Sequence, residues 1–196
     1  MKKIVLGIVT ILLLSGCGEK MFNTPTKKVE MFFQNYQTLS KDVVEQLNKV
    51  VNEEENFNAD QRLAYKELMK KHYQELTYEI KDEKIDGNKA TVTVEIEVTD
   101  YSKTLKDADK YLENNKAEFY DDKGVYNAFL FTTYRIEQLK KVTDKVKFTL
   151  NLTLSKVDDE WQLDPISDVD EQKINGVYYI KIGRKYVYPF YTYFFV

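Results

Sequence analysis

Cysteine is almost missing from this chain: Cys17 stands alone, so no disulfide can form within it. Histidine is equally scarce, with His72 the single one. Zinc draws on several His or Cys ligands at close spacing, and one imidazole with one thiol cannot supply them. A Ser-His-acid triad would need His72 beside a nucleophilic serine, and no Gly-x-Ser-x-Gly elbow occurs. The seven glycines form no phosphate-cradling loop. No apolar run approaches the roughly 18–20 residues that span a bilayer. Positive charge is not in excess either: the net charge is −3, and nucleic-acid binding needs a basic face. Three arginines against 26 lysines, with plentiful Asn, Ile and Tyr, point to an AT-rich coding sequence and a low-GC host, not to a mechanism.

What is present starts at the N-terminus. Lys2 and Lys3 precede an eleven-residue apolar run, Ile4 to Leu14, and small residues follow. A positive start, a short apolar core and a small-residue exit make a secretory signal peptide. The ending Leu14-Ser15-Gly16-Cys17 resembles the lipobox of bacterial lipoproteins. That resemblance implies a diacylglyceryl thioether on Cys17, cleavage just before it, fatty acyl chains such as palmitate in the bilayer, and a mature protein held outside the cytoplasm. An ordinary signal peptide with a chance cysteine, or a short buried helix, are the alternatives. Without residues 1–16 the chain keeps 27 basic and 32 acidic residues. The remaining 180 residues suit one domain with a sizeable core. Residues 17–24 are the lipidated cysteine and a linker too short to lift the domain more than about 25 Å from its anchor.

Thr24-Pro25 reads as a helix N-cap followed by proline at the first helical position. Val29, Phe32, Phe33, Tyr36, Leu39, Val43, Leu47 and Val51 then recur at three- and four-residue steps, one stripe on a long helix with a bend at Ser40. A second helix is expected from about Ala59 to Glu75. The period changes to two at Leu76, Tyr78 and Ile80, Asp86-Gly87-Asn88 makes a turn, and Ala90, Val92, Val94, Ile96 and Val98 alternate with polar residues. Two further helices, the second from about Val125 to Lys141, lead to another alternation at Val146 to Leu154. Asp158-Asp159 turns into a short strand with Trp161 and Leu163, and Ser167 caps a last helical turn closing at Asn175-Gly176. Hairpins without crossovers imply an antiparallel sheet with helices on one face, an α+β fold.

The lipobox, Thr24-Pro-x-x-x-Val-x-x-Phe-Phe33, Ala90-Thr-Val-Thr-Val94, Asp158-Asp-Glu-Trp161 and Ile174-Asn-Gly-Val-Tyr178 together resemble the NTF2-like lipoproteins of low-GC Gram-positive bacteria. The resemblance covers about residues 1–178 and implies a cone: a curved antiparallel sheet packed around a long N-terminal helix, with an internal hollow, over residues 25–178. It carries no agreed activity. Residues 179–196 depart from it. From Tyr178 onward the chain holds nine aromatic residues, three basic ones and no acid. An extra hairpin turning at Ile182-Gly183-Arg184-Lys185, an aromatic patch that meets a partner or membrane, and a frame-shifted tail without selected function all remain open for this extension.

Chemistry-bearing residues are few. His72 is expected as a partly exposed helical histidine. Acidic clusters at Asp107/Asp109, Asp121/Asp122, Asp158/Asp159 and Asp168/Asp170/Glu171 lack the spacing of a calcium loop and read as solvated turns. The Asn151-Leu-Thr153 sequon falls mid-strand. The stripes Phe32/Phe33/Tyr36 and Phe129/Phe131/Tyr134 read as core before pocket lining. No cofactor is expected. The expectation is a lipid-anchored, non-catalytic binding or interaction module, its partners the membrane through Cys17 and either an envelope protein or a small ligand. A ligand-sequestering cone is the first alternative. An isomerase- or dehydratase-like enzyme, with a buried carboxylate and a tyrosine meeting inside the hollow, is the second.

Overall fold

The structure, a computed structural model, describes residues 23–55 and 57–178. Its elements run α1 (Pro25–Gln37), α2 (Lys41–Glu53), α3 (Ala59–Glu75), β1 (Thr77–Asp86), β2 (Lys89–Thr99), α4 (Ser102–Asn114), a short 3₁₀ turn (Lys116–Glu118), α5 (Ala128–Leu139), β3 (Lys145–Val157), β4 (Glu160–Leu163) and α6 (Asp168–Ile174). The α+β reading therefore stands.

Each boundary has a local cause. Thr24 caps α1 by accepting from Lys27 N, with Pro25 at the first helical position. The single long N-terminal helix is not formed. Leu39 takes a left-handed conformation (φ 52°), which ends α1, and Ser40 starts α2 as its N-cap. The apolar stripe ran through this break because α2 re-enters helical spacing one turn later and buries Val43, Leu47 and Val51. Asn58 and Gln61 form a reciprocal capping box on α3. The helix expected from about Val125 to Lys141 also begins later than its pattern indicated, at Ala128, because Asn127 caps it.

The four strands form an antiparallel curved sheet in the order β1-β2-β3-β4. The two alternating runs face one another in register: Val92 lies opposite Leu152, Val94 opposite Leu150, and Ile96 opposite Phe148. One-residue slippage would expose all of them, so the pattern fixes the register. The Asp158-Asp159 turn has both residues at positive φ, 49° and 64°, as a two-residue hairpin requires.

Two cores meet along the sheet. Val29 and Phe33 of α1, Ile174 of α6 and Trp161 of β4 cover the buried face of β2 and β3. A second cluster joins α2, α3, α4 and α5 through Leu47, Val51, Tyr65, Met69, Tyr101, Leu105 and Ile136. The chain folds back on this junction at Gly176, whose φ is 67° and whose added Cβ would lie 2.0 Å from Thr99 O. Tyr101 N donates to Gly176 O at 2.9 Å. Among the described residues no helix is long and apolar enough to cross a membrane.

Candidate functional site

Three places hold unusual chemistry. The first is the helical insertion between β2 and β3. Phe119 and Phe131 are buried with Ala108 in a small satellite core, flanked by Tyr111, Tyr120 and Tyr134. Tyr111 and Tyr134 stack at 4.7 Å between ring centroids, and Phe119 meets Phe131 edge-on at 5.2 Å. Arg135 lies over the Phe131 ring, 5.5 Å from its centroid, and approaches Asp109 to 3.9 Å. Burial pushes the Asp109 carboxyl above its usual range, and Arg135 opposes that rise.

This satellite core supports a presented surface. Asp121 Oδ1 accepts from Lys123 N (2.9 Å) and Val125 N (2.8 Å), and Asp121 O accepts from Gly124 N (2.8 Å). Tyr120 bridges to Tyr126, and Asn127 N donates to Phe119 O at 2.8 Å. Gln61 Nε2 on α3 reaches Phe129 O and Thr133 Oγ1, both at 2.7 Å. The loop is thus tied at both ends, yet it and the first turn of α5 hold Val125 (60% exposed), Tyr126 (40%), Phe129 (49%) and Leu130 (52%) out to solvent. These four apolar side chains are thus held exposed on an ordered frame. The Asp121/Asp122 pair of the sequence is a turn-builder here: Asp121 organises the loop. The Phe129/Phe131/Tyr134 stripe splits, with Phe131 in the core and Phe129 outside.

The second place surrounds His72. Its ring is 1% exposed, against the expectation of a partly exposed histidine. The reason is that α3 buries Tyr65, Leu68, Met69, His72 and Tyr73 on one face, and the α6 turn closes over them. Nε2 donates to Ile174 O at 2.8 Å, which fixes the neutral tautomer, and among the described residues Nδ1 has no hydrogen-bond partner. Burial pulls the imidazole down to about 4, and the charge of Lys145 adds to that. Tyr73 Oη donates to the Asn175 side chain at 2.9 Å. His72 is therefore a clip between α3 and the turn after α6.

The third is Glu171, half-buried on α6. Burial, with the charge of Asp168, raises its carboxyl to about 7. Tyr36 of α1 lies near enough for Glu171 to add to the burial that pushes its phenol up to about 12. Tyr36 packs edge-on against Phe32 (5.2 Å) and Tyr73 (4.9 Å). The charge of Glu171 on α6 is thus felt by the Tyr36 phenol on α1. The sequence singled out neither residue for this coupling; the i, i+3 spacing of Asp168 and Glu171 on one helix face was the available signal.

Concavities elsewhere are shallow. One of about 190 Å³ lies on the solvent face of the sheet among Tyr78, Glu95 and Lys147, and one of about 250 Å³ lies by Thr104, Gln138 and Asp144. The space beneath the curved sheet is filled by Phe33, Trp161 and Ile174. Among the described residues no group of three or more His, Cys, Asp or Glu could hold a metal ion. Leu14, Ser15, Gly16 and Cys17, and the extension 179–196 with its Ile182–Lys185 turn, lie outside the described residues.

The chain matches no protein-family model, and no curated protein matches it. One solved structure is similar, that of ycdA, a candidate lipoprotein from Bacillus subtilis. The two share 16% identity and a TM-score of 0.38, over 62% of this chain and 38% of that one. At that level neither fold family nor function passes from one to the other.

Proposed function

We propose that this protein is an extracytoplasmic lipoprotein, anchored through lipid on Cys17, whose domain is a non-catalytic interaction module. The observation that carries the interaction reading is the exposed Val125/Tyr126/Phe129/Leu130 surface on its tied loop. Its position adds support. Asn23 is fastened to the β3–β4 turn, its side chain bonding Asp159 O and Trp161 N at 2.8 Å each. The α4–α5 insertion leaves the sheet at its other end, about 40 Å along β3 (Lys145–Val157) at roughly 3.4 Å per residue. A short tether at one end leaves the apolar surface at the other, toward an envelope protein. A curved antiparallel sheet with α1 against one face is in keeping with an NTF2-like frame. The filled sheet interior favours a protein partner over a sequestered ligand.

Two measurements test this. Fractionation of cells carrying Cys17→Ser should move the protein out of the membrane fraction; retention after processing would refute the anchor. A native mass spectrum of residues 18–196 should show the bare chain; a reproducible small-molecule adduct would replace the interaction reading with ligand binding. Glu171 and Tyr36 favour a second reading, acid–base catalysis by a carboxyl that holds its proton near pH 7. That reading requires a substrate site beside α6, and loss of a bound ligand on Glu171→Gln would be its sign.

A further inference from the structure

The two edges of the sheet are built differently. The outer edge of β1 carries a register shift between Ile80 and Asp82 and a run of charges, Lys81-Asp82-Glu83-Lys84. Bulges and charges of this kind keep other strands away. β3 has no such register shift, and the two lysines at its start, Lys145 and Lys147, are engaged within the fold by Glu75 and Glu95. It runs from Lys145 to Val157 and pairs with β2 from Lys145 to Ser155 on one side, but with β4 only from Leu154 to Val157 on the other. The side on which each residue bonds can be read from its neighbours. Lys156 N donates toward β2, to Asn88 O, whereas Thr153 O accepts from Asp164 N on the β4 side. Backbone groups alternate sides along a strand, so Lys147, Thr149 and Asn151 turn both N–H and C=O away from β2. Among the described residues no backbone group pairs with them there.

The described chain ends beside this gap. Ser102 Oγ donates to Tyr178 O at 2.9 Å, and the Tyr178 ring meets Phe148 of β3 at 5.7 Å. Eighteen residues, 179–196, follow. At about 3.3 Å per residue the open stretch of β3 is about 30 Å long, and eighteen residues could cover it with a turn to spare. Their composition favours a strand, since Lys185-Tyr-Val-Tyr-Pro-Phe-Tyr191 is aromatic and β-branched, without acid. Pro189 has a place in such a segment only where one strand side has no pairing to make, which is the outermost position of a sheet.

We propose that the open edge of β3 is the docking site for residues 179–196 of the same chain, added to the sheet through the backbone groups of Lys147, Thr149 and Asn151. This docking is independent of the partner-binding surface on α5. It makes the aromatic extension an integral part of the sheet and closes an edge that would otherwise take up a foreign strand.

Hydrogen exchange on residues 18–196, which retain every described element, tests it. The amides of Lys147, Thr149 and Asn151 should exchange ~100-fold or more slowly than open backbone, and truncation after Tyr178 should release them while Val94 and Ile96 stay protected. Free exchange in the intact chain would overturn the proposal, as would protection that survives truncation. If truncation unfolds β2 as well, a nitroxide on Thr149→Cys in the intact chain decides. Broadening of the 179–196 resonances within one molecule supports docking. Unaffected resonances, or broadening seen only between mixed labelled and unlabelled chains, overturn it.

Discussion

Acidification separates two buried groups that pull stability in opposite directions. The unfolded chain protonates His72 near pH 6.5, while the folded chain does so only near pH 4. Between those values the unfolded state binds more protons, so the contribution of His72 is complete above pH 6.5 and is lost as pH falls to 4. At roughly 1.4 kcal/mol per pH unit that window is worth about 3 kcal/mol. Glu171 has the opposite sign. Its carboxyl rises from 4.5 to about 7 on folding, so its contribution is complete below pH 4.5 and is lost as pH rises through 7. The side chain is half-buried, and solvent screening reduces its share to about 1–2 kcal/mol. Wild-type stability should therefore fall only modestly between pH 6.5 and 4.5. Urea unfolding of residues 18–196 at half-unit steps from pH 7.5 to 4 measures this. Glu171→Gln should steepen the acid loss, leaving the slope of His72. His72→Gln, which keeps a donor for Ile174 O, should abolish that loss and let stability rise on acidification. An unchanged slope in His72→Gln would refute the clip between α3 and the α6 turn.

Other perturbations have clear directions. Gly176→Ala places a methyl group against Thr99 O at a positive φ and should cost at least ~3 kcal/mol, read as a large drop in Tm. Trp161→Ala opens the core under β4 and should cost about 3–5 kcal/mol by denaturant titration. Asn58→Ala breaks the α3 capping box and should cost about 1 kcal/mol by the same titration, with the m-value unchanged.

The sheet was legible from the sequence because β2 and β3 each bury one face, and a period of two is unambiguous over five apolar positions. The helices were legible as stripes, but their ends depended on single residues. Leu39 breaks α1 from α2 with a backbone conformation that no pattern of hydrophobicity encodes. His72 looked exposed because Lys70 and Lys71 precede it, while its burial depends on α6, a hundred residues later. The same holds for Glu171 and Tyr36, whose burial is set by tertiary packing. Phe129 was read into the Phe129/Phe131/Tyr134 stripe. Its exposure, with that of Leu130, follows from where Asn127 starts the helix, a cap that puts Phe131 inward and leaves the first turn outside.

The exposed apolar surface on α5 and its preceding loop carries the functional reading, and a photo-reactive residue at Leu130 in the lipid-anchored protein in intact cells tests it most directly. A discrete cross-linked protein species, absent when the same probe replaces Thr91 on the solvent face of the sheet and lost on Phe129→Asp, is the predicted result. No adduct from Leu130, or the same adducts from both positions, would contradict it.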